Sequence, residues 1–139
     1  MKISVALPLI TAALFSGSPV AAFTTAEEVR PILEVTQANW IAVREYEGQD
    51  LLYFTHLASF RCGLFAIAYG VNTDVADQLF EAEPCYREEP APNALKMENG
   101  ALPFVGLPLG SVEYVTITIT YLDGVQSTVR FDRADIQIP

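Results

Sequence analysis

Few residues in this chain are equipped for chemistry: two cysteines and one histidine among 139 residues. Cys62 and Cys85 lie 23 positions apart, which is neither a CxxC redox pair nor a zinc framework, so the chemistry they offer is a structural disulfide. Asn72, Thr73 and Asp74 form a turn-forming run between them. An antiparallel register about that run pairs Val71 with Ala76 and Gly70 with Asp77, and it also sets Cys62 opposite Cys85. Directly opposed residues hold their Cβ atoms about 4.5 to 5.5 Å apart, slightly beyond disulfide reach, so modest local twisting closes the bond. In the chain-entropy model a loop of this length contributes roughly 3 kcal/mol.

His56 is the only histidine, so a zinc site built on several imidazoles is not available. As a general base it needs a nucleophile and an orienting carboxylate. Ser59, Ser111 and Glu45 are residues of the right type, but no spacing rule singles them out. The plainer reading is a strand histidine with one satisfied nitrogen. Glu81, Glu83, Glu88 and Glu89 gather around Cys85 and offer carboxylates to calcium; without a fixed ligand spacing or a turn glycine they read as a solvated acidic rim. Tyr46, Tyr53, Tyr69 and Tyr86, with Trp40, offer walls for a small-molecule or peptide groove, although sheet aromatics usually serve core packing. There is no glycine-rich phosphate loop, HExxH, GxSxG or EF-hand spacing. No catalytic residue, metal ligand set or cofactor site is therefore assigned.

A disulfide requires an oxidising compartment, and the N-terminus supplies the route. Lys2 precedes an apolar run from Ile3 to Phe15, which Ser16, Gly17, Ser18 and Pro19 break before Val20, Ala21 and Ala22. This pattern predicts a secretory signal peptide over residues 1–22. The run is shorter than the roughly 20 apolar residues of a spanning helix, and every later apolar run is interrupted by charge, Gly or Pro. No cysteine follows it closely, so no lipid anchor is expected. Residues 23–139 make 117 positions, enough for one globular domain with a real core. Removing Lys2 from the eight basic residues leaves seven against 17 acidic ones, a net charge of −10. That balance disfavours nucleic acid and anionic membranes as partners.

The elements that must position these residues can be read in order. Thr25 and Glu28 form a capping box, and Val29, Ile32, Leu33 and Thr36 recur at helical spacing, predicting a helix over Thr25 to Ala38. Pro31 deletes a backbone hydrogen bond, so the helix is expected to start later or bend there. Trp40 to Tyr46 and Leu51 to Ala58 read as strands joined by a two-residue turn at Gly48 and Gln49. Both faces of the second are largely apolar, which suits a central strand. Leu64 to Val71 is a further strand, and its small residues Ala66, Ala68 and Gly70 leave room for the N-terminal helix. A return limb over Gln78 to Ala82 completes that hairpin, the alternative being one helical turn over Asp74 to Phe80.

The C-terminal hairpin is the most constrained. A three-residue loop of Leu122, Asp123 and Gly124 pairs Tyr121 with Val125, Ile119 with Ser127, Ile117 with Val129 and Val115 with Phe131, so the core residues share a face. Gly124 then takes the left-handed position of a G1 bulge, and Thr118 meets Thr128 on the polar face. The run from Pro84 to Gly110 is too long for a simple connection. Arg87 to Asn93 is charged and proline-rich and is expected to be mobile. Leu102, Phe104, Val105, Leu107 and Leu109 are too apolar to stand free, so they are expected to cover the core; otherwise they form an interaction surface. Pro103 and Pro108 each lack an N–H, which points to an extended edge or lid.

The fold expected is α+β, an antiparallel sheet of about five or six strands in hairpins with one N-terminal helix packed on it. The function expected is that of a small exported acidic protein, periplasmic or secreted: a non-catalytic binding or envelope accessory domain with a protein, peptide or small-ligand partner. The alternative is a small hydrolase or transferase joining His56 or a tyrosine to a distant carboxylate. A fold class of this kind hosts unrelated activities, so the site must decide between them.

Overall fold

The computed structural model describes residues 22–139 together with Ser4. The expected signal peptide, residues 1–22, falls outside the described residues apart from Ser4 and Ala22. The chain is α+β. Its elements are α1 (Ala26–Val35), β1 (Ala42–Tyr46), β2 (Gln49–Tyr53), α2 (Thr55–Ala58), β3 (Leu64–Val71), β4 (Gln78–Leu79), β5 (Phe104–Pro108), β6 (Tyr114–Tyr121), β7 (Gln126–Asp132) and α3 (Arg133–Ile136). The strands form two antiparallel sheets, β1-β2-β5 and β4-β3-β6-β7, so there are seven strands in two sheets where five or six in one were expected. Among the described residues, no helix is long and apolar enough to cross a membrane.

The capping box forms as read: Thr25 is the N-cap, and the Glu28 N–H donates to its Oγ1 at 3.2 Å. The helix runs through Pro31, which lies on its exposed side, and ends at Val35. Thr36 stops it, donating from both its N–H (3.0 Å) and its hydroxyl (2.7 Å) to the Ile32 carbonyl. Its buried stripe, Ala26, Val29 and Leu33, approaches the chain at Gly63, where a Cβ would lie 2.8 Å from the Thr25 carbonyl oxygen and collide with Val29. The small face of β3 has another role. Ala66, Ala68 and Gly70 alternate with Ile67 and Tyr69 of the core, and a Cβ on Gly70 would collide with the Val75 carbonyl of its own turn.

The hairpins keep most of their expected register. In β3 and β4 the pairs are Ala68 with Leu79 and Tyr69 with Gln78, the register that aligns Cys62 with Cys85. Strand pairing lasts only those two residues. Cys62 lies in a 3-10 turn, Arg61–Gly63, and Cys85 lies outside the strands, yet the two are bonded with Cα atoms 5.0 Å apart. In β6 and β7, Ile117 pairs with Val129 and Val115 with Phe131. Gly124 has φ +89°, and Thr118 and Thr128 share a hydrogen bond of 2.8 Å.

Two readings near the N-terminus shift. The β1–β2 turn is Glu47 and Gly48, both at positive φ (49° and 77°), one residue earlier than expected and of the type whose twist matches the strands. The strand read from Leu51 to Ala58 ends at Tyr53. Phe54 donates its N–H to the Pro103 carbonyl (2.7 Å), and its own carbonyl accepts from Ala58 (2.8 Å), so Thr55–Ala58 becomes the helical turn α2. Buried Phe54, Leu57 and Ala58 follow i, i+3, i+4 spacing, which fits a helix as well as a mixed strand. β2 is central in its sheet and β5 is one of its two edges, the place that Pro108 favours. Trp40, Leu52, Phe54, Ile117 and Ile119 lie at the heart of the core.

Candidate functional site

Buried charge is the first guide to where this chain keeps unused chemistry, and three buried groups turn out to be fully engaged. Asp50, wholly shielded from solvent, accepts from the Gly110 and Val112 N–H groups at 2.9 and 3.1 Å and from both ends of Arg133 at 2.6 and 3.1 Å. The Arg133 guanidinium, with help from those amides, outweighs burial and holds the carboxyl down at about 2. Arg61 donates five hydrogen bonds to the carbonyls of Ala58, Pro84, Asn93 and Ala94. Glu83 accepts from the Tyr86 hydroxyl and from the N–H groups of Lys96 (2.9 Å) and Met97 (3.3 Å). Burial would push its carboxyl up, but these donors and the Arg61 charge hold it below the usual carboxylate range. Tyr86 is pushed up to about 12, chiefly by donating to Glu83.

The cleft beside α2 is different. It encloses about 550 Å³ and is walled by Ile41, Ala42, Arg44, Tyr53, His56 and Ile138. Strand alternation builds it: Ala42 and Arg44 leave one face of β1, and Tyr53 stands opposite Ala42 on β2. At the end of β2 the chain turns into α2, which brings His56 to the same opening. Ile138 is held there by its N–H, which donates to the Val43 carbonyl at 2.9 Å. His56 Nε2 lies 2.8 Å from Thr36 Oγ1. That hydroxyl spends its proton on the Ile32 carbonyl, so Nε2 carries the ring's hydrogen and Nδ1 is left as an acceptor. Burial pushes the imidazole below its ordinary value. Arg44 stacks over the Tyr46 ring at 4.8 Å. A smaller depression of about 340 Å³ lies beside the disulfide, but its charged walls include Arg61 and Glu83, already committed.

Comparison with known proteins leaves this geometry to speak for itself. The chain matches no family model, no curated protein and no solved structure.

The structure disperses most of the candidates read from the sequence. His56 sits on a helical turn, not on a strand. Ser59 lines the same cleft but donates its hydroxyl to the Thr55 carbonyl at 2.7 Å. Glu45 pairs with Arg133 at 3.1 Å, and the Ser111 carbonyl accepts from Asn72 at 2.7 Å; neither joins His56. The acidic cluster is not a simple solvated rim, because Glu83 is buried, and no group of three potential ligands for a metal occurs among the described residues. Of the five aromatics, Trp40 and Tyr69 are buried in the core, Tyr86 binds Glu83, and Tyr53 alone lines the cleft.

In the long segment, Val105 and Leu107 pack against the core, Phe104 is half-buried with its ring 5.3 Å from that of Tyr53, and Leu102 and Leu109 are 48% and 55% exposed. The run before it is tied down: Asn93 accepts from the Cys62 N–H at 2.8 Å, and Arg87 donates to the Cys62 carbonyl at 2.8 Å. Sequence reasoning missed Asp50, Arg61 and Arg44, and it placed Glu83 on a solvated rim when it is buried. Asp50 closes the polar stretch Glu47, Gly48 and Gln49, so the sequence carries no signal that it is buried.

Proposed function

We propose that residues 23–139 form a single exported domain whose task is non-catalytic binding, with the cleft beside His56 as its ligand seat. The observation that carries this reading is that the histidine in the cleft has no nucleophile bonded to it. Nε2 donates to Thr36 Oγ1, and Thr36 Oγ1 donates to the Ile32 carbonyl, so that side of the ring links α1 to α2, while the Ser59 hydroxyl in the same cleft donates to the Thr55 carbonyl and not to the ring. The cleft itself is mostly apolar with a few convergent polar groups, the usual make-up of a small-ligand site. Export is supported by the N-terminal sequence pattern and by the Cys62–Cys85 bond. The acidic balance favours a partner other than nucleic acid.

Two measurements on the exported chain test the reading. Intact mass should correspond to residues 23–139 with one disulfide; retained N-terminal residues, or two thiols that alkylate without reduction, would contradict it. Melting temperature should then be followed against a panel of small acids, amines, sugars and short peptides. A ligand of the cleft raises the melting temperature by mass action, and Ala42→Trp, which fills the cleft, abolishes the rise. Turnover of the ligand would overturn the non-catalytic assignment.

A further inference from the structure

Arg44 is singular among the described basic side chains. Arg30 pairs with Asp123, Lys96 with Glu89, Arg130 with Asp74 and Asp132, and Arg133 with Asp50 and Glu45. Arg61 and Arg87 spend their donors on backbone carbonyls. Arg44 alone has neither a carboxylate partner nor a hydrogen-bond acceptor, and its one recorded contact of charge is the face of Tyr46. The chain carries 17 acidic residues and a net charge of −9, yet none of the residues lining the cleft is acidic. Arg44 is half-buried, and it has gained no counter-charge there.

We propose that the cleft binds a small monocarboxylate with an apolar body, the carboxylate held by Arg44 and the body lying against Ile41, Tyr53 and Ile138. This rests on the binding reading above and names its ligand class. The planar fork of a guanidinium matches a carboxylate with two parallel hydrogen bonds. A single cation balances a single negative charge; a phosphate dianion would need more positive charge than the cleft holds, inside a field that the acidic surface makes unfavourable to polyanions. The Tyr53 hydroxyl, Thr55 and Asn39 can add neutral donors around the headgroup. Neutral His56 contributes an acceptor and leaves Arg44 as the only positive charge. The apolar side chains of Ile41, Ala42 and Ile138 supply the part of the site that an inorganic anion would leave empty.

The test compares benzoate with benzamide, which has the same shape and no charge, by amide-resolved NMR on the oxidised mature chain. Benzoate should shift the amides of Ala42, Thr55 and His56 in a saturable way, and benzamide should bind at least tenfold more weakly. Arg44→Gln should remove that preference while its spectrum stays folded, and Arg130→Gln, an exposed arginine outside the cleft, should bind benzoate as the parent does. Equal binding of the two compounds, or an unaffected Arg44→Gln, overturns the carboxylate assignment and leaves the cleft as a binding site. An equal loss in Arg130→Gln also overturns it, since attraction would then be a property of overall charge. If neither compound moves the cleft amides, the monocarboxylate is rejected, and the ligand panel with Ala42→Trp separately decides whether the cleft binds anything.

Discussion

Arg44 and Glu45 are neighbours on β1, yet their side chains leave the sheet by opposite faces into unlike surroundings. On the Glu45 side, Arg133 and Asp50 meet the Gly110 and Val112 amides, and each donor finds an acceptor. On the Arg44 side, a guanidinium, a histidine nitrogen and a tyrosine hydroxyl share an opening without satisfying one another. The first cluster joins β2, the β5–β6 connection and α3, segments far apart in the chain. In the second, His56 alone makes a tie, from α2 to Thr36 at the end of α1. A cluster in which every buried group is paired is read as architecture, and the half-buried, unpaired Arg44 as a seat for something else.

Breaking the saturated side should have the largest effect. Asp50→Asn leaves Arg133 facing an amide that cannot accept from four donors, and removing one member of a buried pair costs about 3 to 5 kcal/mol; urea denaturation should show a midpoint shift of that size. Acid sharpens the same point. Because the Asp50 carboxyl is held at about 2 in the fold and lies near 3.9 when unfolded, its contribution is present above the unfolded value. It should disappear as pH falls from about 5 towards 2, a loss of roughly 2 to 3 kcal/mol. Stability measured across that window should fall less steeply in Asp50→Asn. Glu83→Gln keeps one acceptor oxygen and presents an N–H₂ to donors, so it should cost about 1 to 3 kcal/mol. Arg44→Gln stands at the other end: with no partner to lose, its stability should stay within about 0.5 kcal/mol of the parent. A larger fall would erase the contrast between the two faces.

How far each side could be read beforehand follows from the range of its interactions. Thr25 and Glu28 form a cap that spans three residues, Gly124 serves the turn in which it sits, and the alternation of Val115, Ile117 and Ile119 is visible in the strand itself. Even the Cys62–Cys85 bond was legible, since the turn at Asn72 sets the register that aligns them. Asp50 and Arg133 are 83 residues apart, and their meeting depends on how two sheets pack, for which periodicity carries no signal. The split into two sheets was hidden for a related reason. Phe54 leaves the ladder to donate to Pro103, and nothing between Leu51 and Ala58 announces that partner. Arg44 was invisible because its distinguishing property is what surrounds it, and composition shows only that acids abound.

The Arg61 side chain has a consequence for how the middle of the chain is assembled. Between β4 and β5 lie more than twenty residues with almost no ladder or helix, yet the carbonyls of Pro84, Asn93 and Ala94 converge on one guanidinium with that of Ala58. The backbone there is wrapped about a cation as an ionophore wraps a potassium ion, with the difference that the cation is tethered to the wrapper by its own main chain. Such a coat takes its shape from its guest. A lysine at 61 keeps the charge but offers three donors on a point in place of a planar fork, and the same carbonyls would have to find a new form around it.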